Sequence, residues 1–270
     1  MILTPEQPTL ALHARNAAES AHPELWRGLV GAWVPALGYQ GDILHDLSGN
    51  GNNGTIISSL WRAHDTGHAL ELDGIDDYVD LPVAAVNEAA SDSLFSYVIY
   101  FEAKNTSDRQ IVMAATDQNG FGDSNTILEM NIGRSSGEGE VLVKRDDFSI
   151  VTQITTGWQA WVCAVTPNGF KFYINGTLVG ESTGNVFGST TQFRIGRPAD
   201  NVRYLDGSVG MAGLYNRALT GVEAASLSTD PLAPFRLRDD TALATAVMFG
   251  GTPSVTLPPP LLNMQMTGSF

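Results

Sequence analysis

The sequence predicts an all-β fold, a sandwich or barrel of short strands, on three observations. From about residue 95 to residue 215, short runs rich in β-branched and aromatic residues alternate with turn residues. The chain carries 28 Gly and 13 Pro, and only 16% of its residues are charged against about 25% in an average domain; this excludes a helical bundle or coiled coil. Two hairpin signals follow one another, Thr166-Pro167-Asn168-Gly169 and Asn175-Gly176. The first sets a fixed φ at Pro and allows positive φ at Asn-Gly, and the second suits a two-residue type I′ turn.

The runs place strands at 97–103, 111–115, 127–132, 141–144, 148–154, 158–165, 170–174, 177–180 and 193–196. Along 170–174, alternation puts Phe170, Phe172 and Ile174 on a core face and Lys171 and Tyr173 on a wetter one. One helix follows the last strand. Thr220 and Glu223 form a T-x-x-E capping box ahead of Val222, Ala225 and Leu227, and Asp230-Pro231 stops it. Residues 10–20 are helix-forming and read as part of an N-terminal arm, 1–25. The domain proper is 26–230. Residues 231–270 read as a docking tail, whose last thirty residues, 241–270, hold no charged side chain and a Pro triplet at 258–260. Free disordered tails are polar and charged, so an apolar tail of this kind wants a surface to lie on.

The net charge is −14, a field that repels phosphate backbones and anionic lipid, so neither nucleic acid nor membrane is an expected partner. No run of about 18 uncharged apolar residues exists to span a bilayer. The first 25 residues lack a basic region followed by an apolar stretch, so no secretion signal is expected. The single Cys163 cannot form an internal disulfide and, between Val162 and Ala164, reads as a small buried hydrophobe. The sequons at Asn53, Asn105 and Asn175 read as accidental, and the five His residues (13, 22, 45, 64 and 68) show no metal-binding spacing.

Several segments together resemble laminin-G-like, concanavalin A-like lectin/glucanase domains. They are Leu29-Val30-Gly31-Ala32-Trp33, the run Asp46-Leu47-Ser48-Gly49-Asn50-Gly51-Asn52-Asn53-Gly54-Thr55, and Ala69 to Val79 with its Asp73-Gly74-Ile75-Asp76-Asp77 core. In family order follow Trp161 to Val165, Phe172-Tyr173-Ile174-Asn175-Gly176, Ile195-Gly196-Arg197, Leu205-Asp206-Gly207 and Leu214 to Thr220. The resemblance covers roughly residues 28–228. It implies an all-β, two-sheet antiparallel jelly-roll sandwich with one short C-terminal helix and extended terminal arms, and no enzymatic chemistry. The opening at 25–38 and the exit at 230–238 are similar to laminin-G-like proteins of tailed bacteriophages, which decorate the virion or serve as its fibre and adhesion components.

Glu71-x-Asp73-x-x-Asp76 resembles the E-x-D-x-x-E strand of the glucanases, where two carboxyls about 5–5.5 Å apart act as nucleophile and acid. Asp76 is one methylene shorter than that pattern requires. A tight turn held by Asp73-Gly74 and Asp76-Asp77 is the simpler reading. A third is Ca²⁺ on Asp46, Asp73 and Asp76, which the resemblance implies because many relatives bind it. Against it, the family's acidic pair in the closing strand is replaced here by Gly210 and Met211. No other cofactor is expected. Trp61, Tyr78, Tyr204 and the loop at Asn50 suit a shallow sugar site by stacking and hydrogen bonding.

The expectation is a non-enzymatic phage virion protein, made in the host cytoplasm and oligomeric on the particle. It would dock onto capsid or other virion proteins through Phe249, Leu257, Leu261, Leu262, Met264, Met266 and Phe270. The alternative is a carbohydrate-binding module for cell-surface or extracellular polysaccharide. The third reading is a glycoside hydrolase using Glu71 and Asp76.

Overall fold

The computed structural model describes residues 13–38, 40–64, 67–116, 128–134, 137–145, 148–183, 190–197 and 203–238. They form a two-sheet antiparallel jelly roll. The strands of the first half are β1 (Leu29–Trp33), β2 (Ile43–Leu44), β3 (Gly54–Ile57), β4 (Leu60–His64), β5 (Gly67–Asp73), β6 (Tyr78–Leu81), β7 (Phe95–Ala103) and β8 (Gln110–Thr116). Those of the second are β9 (Leu128–Arg134), β10 (Gly137–Arg145), β11 (Phe148–Gln153), β12 (Gly157–Thr166), β13 (Gly169–Ile174), β14 (Thr177–Thr183), β15 (Gln192–Ile195) and β16 (Asp206–Tyr215). One sheet has the order β14-β13-β12-β7-β16-β5-β4, with β1 also pairing β16; the other runs β11-β10-β9-β8-β15-β6-β3-β2. All nine strands expected from the sequence are present, within a few residues at their ends.

Both hairpins form where the turn chemistry puts them. Thr166 pairs Gly169 across Pro167-Asn168, and Asn175 and Gly176 both take positive φ, +48° and +77°, as a type I′ turn demands. The core between the sheets is built from alternate residues of the central strands. Phe95, Tyr97, Ile99 and Phe101 of β7 meet Trp161, Cys163 and Val165 of β12, with Val79, Val112, Phe193 and Ile195 from the opposite sheet. Cys163 is fully buried, and the apolar surroundings push its thiol far above the ordinary range. It behaves as the small hydrophobe its neighbours suggested.

The outer face of the first sheet is less wet than alternation implied. Val98, Val162, Ala164, Tyr173 and Met211 point outward into a second apolar cluster with Leu25, Leu29, Leu219, Leu227 and Phe235. Its cover is α2 (Gly221–Thr229), which starts at the expected box: the Glu223 N–H donates to Thr220 Oγ1 at 3.3 Å and the Thr220 N–H to Glu223 Oε2 at 2.9 Å.

Two expectations need correction. A second helix, α1 (Val83–Ala89), lies between β6 and β7 and buries Ala85, Val86 and Ala89, so the described residues hold two α-helices where one was expected. Within 10–20, the described residues 13–20 form a turn, because Asn16 Oδ1 accepts from the N–H groups of Ala18 and Glu19 and so competes with helix formation.

The described segments nearest the two termini, 14–26 and 233–238, meet on the second cluster. Ala14 N–H donates to Phe235 O at 2.9 Å, Ser20 bridges Leu237, and Trp26 Nε1 donates to Pro234 O at 2.6 Å. Phe235 is 2% exposed, so residues 231–238, assigned in sequence to the tail, belong structurally to the domain. The seven expected docking residues, Phe249 to Phe270, lie outside the described residues.

Candidate functional site

At one end of the sandwich, three connections distant in sequence converge: the β5–β6 turn, the β7–β8 loop and the segment leading into β16. They line an open cavity of about 440 Å³ formed by Asp73, Gly74, Asn105, Asp108, Arg109, Gln110, Arg203, Tyr204 and Asp206. Its back wall is rigidly satisfied. Gln110 is 3% exposed, its Oε1 accepts the Asp206 N–H at 2.8 Å and its Nε2 donates to Asn105 O at 3.1 Å. Arg203 Nη1 lies 3.3 Å from Oε1 of Glu129, which is itself 1% exposed. Arg203 holds a left-handed φ of +74°, unusual for a residue with a side chain, and its carbonyl accepts the Ile111 N–H at 2.9 Å.

The turn beside the cavity takes the simpler of the forms considered for 71–77. Asp73 Oδ1 accepts the Ile75 N–H at 2.8 Å, and Asp77 Oδ2 accepts the Asp73 N–H at 2.9 Å. Asp77 is buried, which pushes its carboxyl above the usual range; the charges of Asp73, Asp76 and Glu71 add to this, while the Asp73 N–H opposes it. Oxygens of Asp73, Asp76 and Asp77 lie within 4.8 Å of one another. In ligand type and crowded charge these three fit a hard cation such as Ca²⁺. Asp46, the third expected ligand, is not among them. Its carboxylate accepts the N–H groups of Ala32, Ser48 and Asn52 at 2.8–2.9 Å and the Ser48 hydroxyl at 2.8 Å, organising its own loop.

Glu71 and Asp76, the two carboxyls of the glycosidase reading, stand in different surroundings. Glu71 stands on the solvent side of β5, ion-paired to Lys104 and, at 2.6 Å, to Arg62. The Lys104 ammonium above all holds its carboxyl below the usual range despite partial burial. Asp76 groups instead with Asp73 and Asp77 in the turn. A carboxylate held ionised between two cations cannot serve as a proton donor near neutral pH.

Glu71→Gln is expected to leave any activity of the protein unchanged and to lower stability by roughly 0.5–1 kcal/mol at pH 7, since Arg62 is 59% exposed and the pairs are partly screened. Because the folded carboxyl is depressed, this contribution is complete above its unfolded value and is lost as pH falls through the folded one. Urea titrations of both proteins at pH 7 and pH 3 check this, and a gap that widened in acid would contradict it.

The four expected sugar-site residues are not brought together. Asn50 spends its amide on Leu29 O, Val30 O and Ser48 Oγ at 3.0–3.1 Å, closing the 46–54 loop onto β1. Trp61 donates to Gly41 O at 2.9 Å and packs partly against the core. Tyr78 and Tyr204 do meet, through Arg197, whose guanidinium sits 4.3 Å from the first ring centroid and 5.6 Å from the second. That cation covers a face of Tyr78, whereas Tyr204 lines the cavity.

The sandwich order and its loop-end cavity define the lectin-type jelly-roll class. The sequence profile of the Laminin_G_3 family, in the concanavalin A-like lectin/glucanases superfamily, matches residues 73–225, more than half of the chain. The chain belongs to that family. No curated protein matches it in sequence.

Among solved structures it is similar in fold to Trypanosoma rangeli sialidase in complex with sialic acid (TM-score 0.59, 16% identity), over 74% of this chain and 32% of the sialidase. It thus spans about a third of the sialidase's length. It is also similar to domain 4 of AbnA, a GH43 extracellular arabinanase from Geobacillus stearothermophilus, in complex with arabinotriose (TM-score 0.56, 18% identity, 74% of this chain and 98% of that one). A third is the botulinum neurotoxin type G receptor-binding domain (TM-score 0.55, 12% identity, 75% and 51%).

Proposed function

We propose that this chain is a non-enzymatic, lectin-like recognition protein that binds glycan at its loop-end cavity and is carried on a phage particle by its terminal segments. The observation that carries this reading is the polarity of the molecule. The cavity lies where β7 ends and β16 begins, at Ala103 and Asp206, while the described terminal segments, 14–26 and 233–238, pack toward Ser96 and Tyr215 at the other end of the same two strands. At about 3.3 Å per residue, the ten residues of β16 separate the two poles by roughly 30 Å. An anchor at one pole presents the other outward. Recognition without catalysis is supported by the ion-paired state of Glu71, and by the same architecture occurring in complex with arabinotriose in the arabinanase domain.

The uncharged stretch 241–270 supports docking on a larger assembly, and the similarity of 25–38 and 230–238 to phage-borne jelly rolls supports a virion as that assembly. A truncation ending at Asp240 is expected to stay folded, because the described fold closes at Arg238, whose N–H donates to Glu19 O at 2.9 Å. It should be a monomer that does not bind particles, while the full chain assembles or docks. Light scattering after size exclusion, with particle co-sedimentation, reads both. Identical behaviour of the two proteins would remove the docking half and leave glycan recognition standing alone.

A further inference from the structure

We propose that the cavity selects a neutral sugar residue, gripping a pair of adjacent hydroxyls and rejecting acidic sugars; this rests on the glycan-recognition reading above. Its lining sets acceptors against donors. Asp73, Asp108 and Asp206 accept only, and Arg109 and Arg203 donate only, while the Asn105 amide serves its own loop, donating to Asp108 Oδ2 and accepting from Ser107. A sugar hydroxyl donates and accepts at once, so neighbouring hydroxyls can bridge a carboxylate and a guanidinium, which a simple anion or an apolar group cannot.

Charge decides the class of sugar. Among the described lining residues three carboxylates stand against two guanidiniums, and Arg203 is already paired with buried Glu129, so without a cation on the neighbouring aspartate turn the cavity is locally negative within a chain of net charge −14. A uronate or sulfate entering it meets repulsion at short and long range. Tyr204 supplies an aromatic wall for the apolar face of a sugar ring. The volume falls within the usual range of small-ligand sites, about 300–1,000 Å³. Gln110 and Arg203 are tied back by hydrogen bonds to Asp206, Asn105 and Glu129, which lowers the ordering cost of binding at this wall.

The test is an array of neutral polysaccharides (dextran, mannan, galactan, arabinan) and acidic ones (polygalacturonate, hyaluronan) probed with the full chain, followed by calorimetric titration of the best ligand. Asp108→Ala, at an exposed position, and Tyr204→Ala are compared, with melting curves confirming that both fold. The expected result is a neutral ligand whose affinity falls at least about tenfold in each variant, as the loss of a charge-assisted hydrogen bond or a stacking face implies. A best ligand that is acidic overturns the selectivity. A neutral ligand bound equally well by both variants overturns the cavity assignment and leaves glycan recognition intact. Binding to nothing on the array overturns the inference together with the glycan reading on which it rests.

Discussion

Replacing Trp161 by alanine is expected to cost about 3–5 kcal/mol, the usual range for removing a buried tryptophan, and to lower the melting temperature by on the order of 10 °C. Trp161 is fully buried at the centre of the sandwich. Its ring stands edge-to-face against Phe101 at 4.8 Å and Phe172 at 5.4 Å, so three adjacent strands, β7, β12 and β13, meet on one side chain. Its indole N–H donates to Gln159 Oε1 at 2.8 Å, and alanine would leave that buried amide oxygen without its donor as well as opening a void. Trp161→Phe keeps most of the volume and both ring contacts but loses the hydrogen bond, so it separates the two contributions. If Trp161→Ala cost under about 1.5 kcal/mol in urea unfolding, with an unchanged slope, the trio would not be the centre of the core.

Trp161 also shows what the sequence made legible. Between residues 95 and 215, side-chain alternation and turn residues carry the whole signal, and the strands lie where those signals stand. The capping box at Thr220 and Glu223 was equally plain because it is a local exchange of two hydrogen bonds. Helix α1 has a weak local signal, an alanine- and valine-rich run after Pro82 with Ala85, Val86 and Ala89 on one face and no side-chain cap. The cavity was not legible, since its lining comes from 73–74, 105–110 and 203–206, and nothing local marks those stretches as neighbours. Aromatic residues near loops were a poor guide to it. Trp61 uses its N–H on Gly41 and Tyr78 is capped by Arg197, contacts that only the tertiary fold creates. Asp46 reads in sequence as a cation ligand, yet its oxygens serve the backbone of its own loop.

Gly169→Ala is expected to be the most damaging change of a single methyl group in the described fold, at roughly 2–4 kcal/mol. Gly169 opens β13 at a φ of +141°, where an L side chain is strained, and a Cβ there would lie 1.9 Å from Ser182 O and 2.9 Å from Thr183 Cα. Those atoms are backbone of β14, so no rotamer change relieves the overlap and the strand itself must move. Gly157 is the matched control: its φ is +100°, but a Cβ there meets nothing within 4 Å, so Gly157→Ala carries the conformational strain alone. The difference between the two variants isolates the strand contact.

Hydrogen exchange then tells where the loss falls. β14 is an edge strand, held by β13 along one side and touching β11 of the other sheet near Gly180, where Ile150 packs. If β14 peels away while β12 and β7 keep their protection, the damage is local and the measured loss is capped by the stability of that edge. If protection falls across the central strands together, the hairpin is part of one cooperative unit with the core. Equal losses at 169 and 157 would mean that β14 accommodates the methyl group, and the close approach of the two strands would then count for little in holding the sandwich shut.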